Sequence, residues 1–111
     1  MSKVLLVDTD QTHAERIRGS LVFRAREVDV LPDPEQATTR LRRTSTDYEV
    51  VILNVSNGFM PWISILAKLQ AACFQSGIYP SPLFLCTSTT KQSFEFELRI
   101  ERMGARYVYE G

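Results

Sequence analysis

Short apolar runs alternate along the chain with segments whose apolar residues recur at helical spacing. Runs such as Val4–Val7 and Val50–Leu53 are continuously apolar, which is typical of strands buried on both faces of a parallel sheet. Directly after the first run, Ala14, Ile17 and Leu21 fall on one face of a helix. The pattern therefore predicts strands and helices in alternation.

The predicted elements number nine, in the order β-α-β-α-β-α-β-α-β. We expect strands at about 4–7, 26–31, 50–55, 83–86 and 107–109. Thr12 and Glu15 form a Thr-x-x-Glu capping box, so the first helix should start there. Further helices are expected over 35–43, opened by Pro34, over 60–73, and through 94–100 to a stop at Gly104.

Strict alternation of apolar strands with helices indicates an α/β fold, in which helices cover both faces of a parallel sheet. Function in such sheets concentrates at the carboxyl ends of the strands. The residues expected at that edge are Asp8, Thr9, Asp10, Asn54, Val55, Ser56, Thr87, Ser88 and Glu110.

Size and charge exclude several other classes of protein. The length of 111 residues suits one domain, 1–111, and 13 basic residues balance 13 acidic ones. Bulk charge therefore indicates neither a nucleic-acid partner nor an anionic membrane surface. One histidine and two separated cysteines, Cys73 and Cys86, make a metal site unexpected. No signal peptide or membrane-spanning run is seen, so we expect a cytoplasmic location.

Four motifs in order carry a resemblance to a known family. They are Lys3–Asp10, Val51–Val55, Phe84–Ser88, and Met103–Ala105 followed by Tyr107–Val108. Over nearly its whole length the chain resembles the receiver domains of two-component response regulators. The resemblance implies a doubly wound, flavodoxin-like sheet of five parallel strands in the order 2-1-3-4-5.

The resemblance also implies a phosphorylation pocket, and this chain departs from it at three positions. Asn54 stands where the family has its phosphoacceptor aspartate, and a carboxamide cannot form an acyl phosphate. Thr9 replaces the second acidic residue that holds Mg²⁺. The family's lysine position holds Glu110 when counted from Tyr107, or Gly111 when counted from the preceding glycine and alanine.

The three departures compensate one another in charge. Relative to the family pattern, Asn54 and Thr9 each remove one negative charge, whereas Glu110 in place of lysine makes the pocket two charge units more negative. Asp8 remains at the first acidic position, and Thr87 and Tyr107 match the family's switch pair. We therefore expect a vestigial pocket that does not transfer phosphoryl groups.

No cofactor is expected in that pocket. Asp8 and Asp10 are the carboxylates that would hold Mg²⁺ if any is bound, but a hard cation needs several oxygen ligands. Asp10 has an alternative role as support for the start of the first helix. Thr87 likewise has an alternative role as a helix N-cap within 87–90.

Other residues are expected to serve the fold. His13 is interpreted as a solvated helix residue and Cys86 as inert core. Tyr107 and Tyr109 should share one sheet face as core aromatics, with Val108 on the other.

Two departures from the family concern shape. Met60-Pro61 comes about three positions later than the family's Met-Pro pair, which predicts an enlarged loop at 56–59. The family's last helix is absent, since two residues follow the fifth strand. The first helix would then cover one sheet face alone, which predicts an exposed apolar patch. A partner or a second copy would cover that patch, or the chain is a fragment.

The leading hypothesis is a non-enzymatic pseudo-receiver of a bacterial phosphorelay that binds a protein partner without phosphorylation. The partner would bind the surface formed by the fourth helix, the fifth strand and Tyr107, with Thr87 as the other switch residue, or it would bind the uncovered sheet face. A homodimer through that face is the alternative. One alternative is a receiver phosphorylated at another residue, with Asp8 or Ser56 nearest. Another is a small-molecule-binding flavodoxin-like domain, although no glycine-rich phosphate loop follows the first strand.

Overall fold

The computed structural model describes residues 3–21, 27–44, 48–56, 61–75 and 82–110. The strands are β1 (Lys3–Val7), β2 (Glu27–Leu31), β3 (Val50–Asn54), β4 (Leu83–Ser88) and β5 (Arg106–Tyr109). The helices are α1 (Gln11–Leu21), α2 (Pro34–Thr44), α3 (Trp62–Gln75) and α4 (Phe94–Arg102). None of the described helices is long and apolar enough to cross a membrane.

The five strands form one parallel sheet in the order β2-β1-β3-β4-β5. This confirms the predicted fold class and strand order. β4 runs two residues beyond its predicted end, because Thr87 pairs with Asn54 of β3 on one side and Val108 of β5 on the other. These pairings bring the carboxyl ends of β3, β4 and β5 to the same edge.

The two faces of the sheet are covered unequally. On one face α2, α3 and α4 bury a large core that includes Leu41, Leu66 and Ile100. On the other face a smaller cluster forms around Ala14 of α1 and Ile52 of β3. Among the described residues α1 is the helix on this second face, and it packs mainly on β1 and β2.

The second face therefore has an exposed apolar strip, as predicted. Leu83 and Val108 are 44% and 43% exposed, and Val50 and Leu85 are half-buried. The register pairs Leu83 with Val50, and Leu85 with Arg106, so these side chains lie on one face with Val108. We name Val50, Leu83, Leu85, Arg106 and Val108 the bare strip.

Helix ends are set by residues other than those the sequence motifs predicted. α1 begins one residue before Thr12, and Asp10 is its cap, since the backbone N–H of His13 donates to Asp10 Oδ1 at 3.1 Å. The predicted capping box at Thr12 is therefore wrong. Ser93 caps α4 and accepts from Phe96 N–H, so the candidates at 87–90 are wrong too. Gly104 has a φ of +84°, a backbone conformation that is strained for any residue with a side chain. Glycine in this conformation just after a helix ends it, so the predicted stop is confirmed.

Several predictions fall outside the described residues. These are the start of the second strand at 26, positions 57–59 of the enlarged loop expected at 56–59, the start of the third helix at Met60, and the alternative lysine position at Gly111.

Candidate functional site

At the carboxyl edge of the sheet, Asp8, His13, Asn54 and Glu110 form a group of hydrogen-bonded side chains that we name the polar cluster. Asp8 directly follows β1 and lies at its base. Its side chain is fully buried. Oδ1 accepts hydrogen bonds from the backbone N–H of Asp10 and from Asn54 Nδ2, both at 2.9 Å. Oδ2 accepts from Nδ1 of His13. A buried carboxylate with three donors is well satisfied in its ionised form.

His13 lies between two carboxylates from opposite ends of the chain. It is 5% exposed, and its Nε2 lies 2.6 Å from Glu110 Oε2 while its Nδ1 meets Asp8. A neutral imidazole has one N–H, whereas a protonated one has two. Donation to two carboxylates at once therefore requires the imidazolium, and His13 supplies a positive charge inside the pocket.

Electrostatics supports this protonation state. Burial lowers the pKa of His13, but hydrogen bonds to Asp8 and Glu110 and the charges of both carboxylates outweigh burial and raise it above the ordinary value. Asp8 and Glu110 contribute two negative charges, and the imidazolium offsets one of them. The polar cluster thus contains its own cation.

The interpretation of His13 as a solvated residue is wrong. The sequence spacing does indicate that His13 is buried, because His13 precedes Ile17 by four residues and adjoins Ala14. On a helix these three residues share the inward face. Reading Thr12 as the helix cap hid this signal. With Asp10 as the cap, His13 is the third residue of α1 and faces the strand ends.

Asn54 is held at both ends of its carboxamide at the end of β3. Nδ2 donates to Asp8, and Oδ1 accepts from the backbone N–H of Ser56 at 3.0 Å. Two opposite partners fix the orientation of the amide. The side chain of Asn54 is therefore a structural bridge between Asp8 after β1 and the loop after β3.

Glu110 follows β5, where its backbone N–H donates to Ser88 O at 2.8 Å and continues the strand pairing. Its side chain is 15% exposed and turns toward His13. Of the two predicted positions for the missing lysine, the structure places Glu110 in the pocket. A carboxylate there needs a cation opposite it, and His13 provides one.

Thr87 lies beside Asn54 in the sheet, so both side chains are on the face that α1 covers. It is 4% exposed, and its hydroxyl finds no hydrogen-bond partner among the residues described. Thr87 is therefore a buried pocket residue and not a helix cap. An unsatisfied buried hydroxyl costs roughly 1–3 kcal/mol.

Three other residues predicted at this edge, Thr9, Asp10 and Ser56, lie at its rim, whereas Val55 and Ser88 are buried. Thr9 and Asp10 are exposed, and Asp10 supports α1 as the alternative interpretation held. Ser56 accepts hydrogen bonds at its Oγ from the backbone N–H and the hydroxyl of Thr89, at 2.9 and 3.2 Å. Ser56 therefore joins the loops after β3 and β4, beside the polar cluster.

Tyr107 is on the opposite face of β5 from the polar cluster. It is half-buried, its ring meets Phe96 edge-on at 5.7 Å between centroids, and its hydroxyl lies 3.5 Å from Thr90 O. Tyr109 is 47% exposed, so its predicted place in the core is wrong. The fifth strand ends at the sheet edge, where few side chains cover its last residue.

Cys86 is buried in the core as predicted, and burial raises the pKa of its thiol to about 12. A thiol in that environment stays protonated and unreactive at neutral pH.

The residues present do not fit the Mg²⁺ that receiver pockets hold. Both oxygens of Asp8 already accept hydrogen bonds, and Asp10 is occupied as a helix cap. Asn54 turns its amino group, not its oxygen, toward Asp8. No cluster of three metal-binding side chains occurs in the part of the chain that the structure describes.

No protein-family model matches the chain, and no curated protein matches its sequence. Solved structures do share its architecture. The chemotaxis protein CheY4 of Vibrio cholerae superposes with a TM-score of 0.75 at 22% identity, over 99% of this chain and 87% of that one. A receiver domain of the histidine kinase CKI1 from Arabidopsis thaliana, complexed with Mg²⁺ and BeF₃⁻, gives 0.80 at 12% identity, over 97% and 80%.

An orphan response regulator of H. pylori is similar at a TM-score of 0.73 and 19% identity, over 98% of this chain and 82% of that one. These likenesses span essentially the whole chain, and their low identities leave the fold as what is shared. The strand order of the sheet agrees with that fold. The protein therefore has the fold of a response-regulator receiver domain.

Proposed function

We propose that this protein is a phosphorylation-independent pseudo-receiver, a non-enzymatic domain of bacterial two-component signalling that acts in the cytoplasm by binding a protein partner. The observation that carries the proposal is the buried imidazole of His13 between Asp8 and Glu110. The imidazolium of His13 is a cation fixed to the chain, whereas phosphoryl transfer in a receiver depends on a Mg²⁺ ion that binds and leaves.

Three contacts argue against phosphoryl transfer at this pocket. Asn54 offers no carboxylate nucleophile, and its amide is held by Asp8 and Ser56. His13 donates to the Asp8 oxygen that a metal ion would need. Glu110 would repel a phosphoryl group, which carries negative charge.

The same contacts hold one conformation of the sheet edge. Asp8, Asn54 and Glu110 tie together β1, β3 and β5 through His13 of α1. A partner would therefore meet a pre-formed surface, which lowers the ordering cost of binding. Signalling would then depend on the partner's abundance or state.

Incubation with acetyl phosphate and Mg²⁺, followed by intact-mass measurement, tests the proposal. We expect no phosphoryl adduct on the wild-type chain. A stoichiometric adduct contradicts the proposal, and its loss in Asp8→Asn or in Ser56→Ala identifies the acceptor. Hydroxylamine cleaves an acyl phosphate on Asp8 and leaves a serine ester on Ser56 intact, which separates the two.

A further inference from the structure

We propose that the bare strip binds one amphipathic partner helix that carries acidic residues along its flanks. This inference rests on the proposed function and names the chemistry of the partner. The two faces of this sheet are covered unequally, whereas parallel sheets are normally buried on both faces.

The width of the bare strip matches one helix. It extends from Val50 of β3 to Val108 of β5, across two strand spacings. Two spacings of about 4.8 Å give roughly 10 Å, and an α-helix with its side chains is about 10–12 Å across. The other side of the strip is bounded by α1, which packs mainly on β1 and β2.

A groove extends the bare strip along α1 toward the carboxyl edge. It encloses about 490 Å³ and is lined by Arg16, Ile17, Ser20, Thr89 and Glu110. Ile17 continues the apolar floor, whereas the other lining residues are polar. A partner helix that lies along the bare strip and the groove would bury its apolar face against the bare strip. Its polar flanks would contact the polar residues of the groove.

The charges at the rim favour acidic flanks. Arg16 on α1 and Arg106 on β5 are exposed, and neither forms an ion pair with any described residue. Glu110 also lines the groove, but its side chain is 15% exposed and its carboxylate is paired with His13, so it is less accessible to a ligand than the two exposed arginines. Glu49 lies at the far end, where its carbonyl accepts from Leu83 N–H. The exposed charges without an ion-pair partner among the described residues of this surface, Arg16 beside the groove and Arg106 in the bare strip, are therefore both positive.

The same charges disfavour a second copy as the occupant. A twofold dimer places the same patch of each copy against the other. Both copies would then bring Arg16 and Arg106 into one interface, where four positive charges accumulate. Like charges brought together at an interface reduce affinity, whereas Asp or Glu on a partner helix would pair with them.

A display library of helical peptides tests the inference. Each peptide carries leucines at i, i+3, i+4 and i+7, with flanking positions randomised among Glu, Gln and Lys, and is selected on the 111-residue protein. We expect enrichment of Glu at the flanks. The best peptide should bind Val108→Glu and Arg106→Glu about tenfold more weakly or worse, which is ~1.4 kcal/mol.

Phe74→Ser is the matched control, since Phe74 is an exposed apolar residue of α3, on the other side of the sheet. Its affinity for the peptide should equal that of the wild type. Arg106→Glu should regain affinity for the Lys-flanked version of the same peptide. Arg106 is exposed, so this variant keeps the inference testable even if Val108→Glu fails to fold.

Three results would overturn the inference: no enrichment, enrichment of Lys or Gln at the flanks, or affinity that Val108→Glu and Arg106→Glu leave unchanged. A dimer seen by light scattering and abolished by Val108→Glu, without peptide enrichment, would assign the strip to a second copy. A phosphoryl adduct in the mass experiment would instead contradict the proposed function. The two failures are therefore distinguishable.

Discussion

His13 and Glu110 are 97 positions apart in sequence, yet His13 Nε2 lies 2.6 Å from a carboxylate oxygen of Glu110. The contact ties the first turn of α1 to the residue that follows β5. Through its other ring nitrogen the same imidazole reaches Asp8 after β1. One side chain therefore holds together the two ends of the described chain at the carboxyl edge of the sheet.

The charge of His13 should make stability depend on pH. Because the pKa of His13 is raised in the folded state, protonation stabilises the fold. That contribution is fully present below the ordinary pKa of about 6.5 and is lost as pH rises through the raised value. We therefore expect the wild type to have a larger free energy of unfolding in urea than His13→Gln at low pH. This difference should disappear as pH rises from about 6.5 through the raised pKa of His13.

The chain has one histidine, so its imidazole resonances in NMR report this pKa without assignment ambiguity. A titration midpoint at or below the ordinary value would contradict the prediction. So would a stability difference between wild type and His13→Gln that stays constant across the window.

The pairing of His13 with Glu110 should appear as coupling in a double-mutant cycle. We expect His13→Ala and Glu110→Gln together to cost about 1 kcal/mol less than the sum of the single changes. Glu110→Gln should also lower the pKa of His13, because it removes one of the two carboxylates. Glu97→Gln, on the opposite side of the sheet, is the control and should show no coupling to His13.

An aspartate at position 54 should not by itself permit phosphorylation. In Asn54→Asp a carboxylate replaces the donor that lies 2.9 Å from Asp8, so we expect the free energy of unfolding to fall by roughly 1–3 kcal/mol. Calorimetry should show no Mg²⁺ binding and intact mass no adduct, because His13 still occupies Asp8. Asn54→Ala separates the lost hydrogen bond from the added charge, and phosphorylation of Asn54→Asp would show that His13 does not block the site.

Thr87→Val should stabilise the protein. The Thr87 hydroxyl is buried without a partner among the described residues, so an isosteric methyl group is expected to raise the free energy of unfolding by about 1 kcal/mol. Thr38→Val is the matched control, since the Thr38 hydroxyl donates to Pro34 O at 2.9 Å and its loss should destabilise by a similar amount. Destabilisation by both changes would indicate that Thr87 has a hydrogen-bond partner in solution.

The fold followed from local patterns because each strand of a parallel sheet is itself an apolar run. Val4–Val7 and Val51–Leu53 are buried where the hydrophobic pattern placed them. Helix starts were less predictable, since several residues before α1 and α4 offer capping oxygens. Asp10 and Ser93 are the caps because of where the preceding strands β1 and β4 end. β4 extends two residues beyond its predicted end because both neighbouring strands pair with it.

By itself the sequence determined the α/β fold and placed a carboxamide, Asn54, at the end of the third strand, since both depend on residue type and chain order. Only the tertiary structure decided what fills the pocket. The charge of His13 depends on two carboxylates, one five residues away and one 97 residues away. No local pattern relates such positions, and the folded sheet brings Asp8 and Glu110 to the same edge because parallel strands all end there.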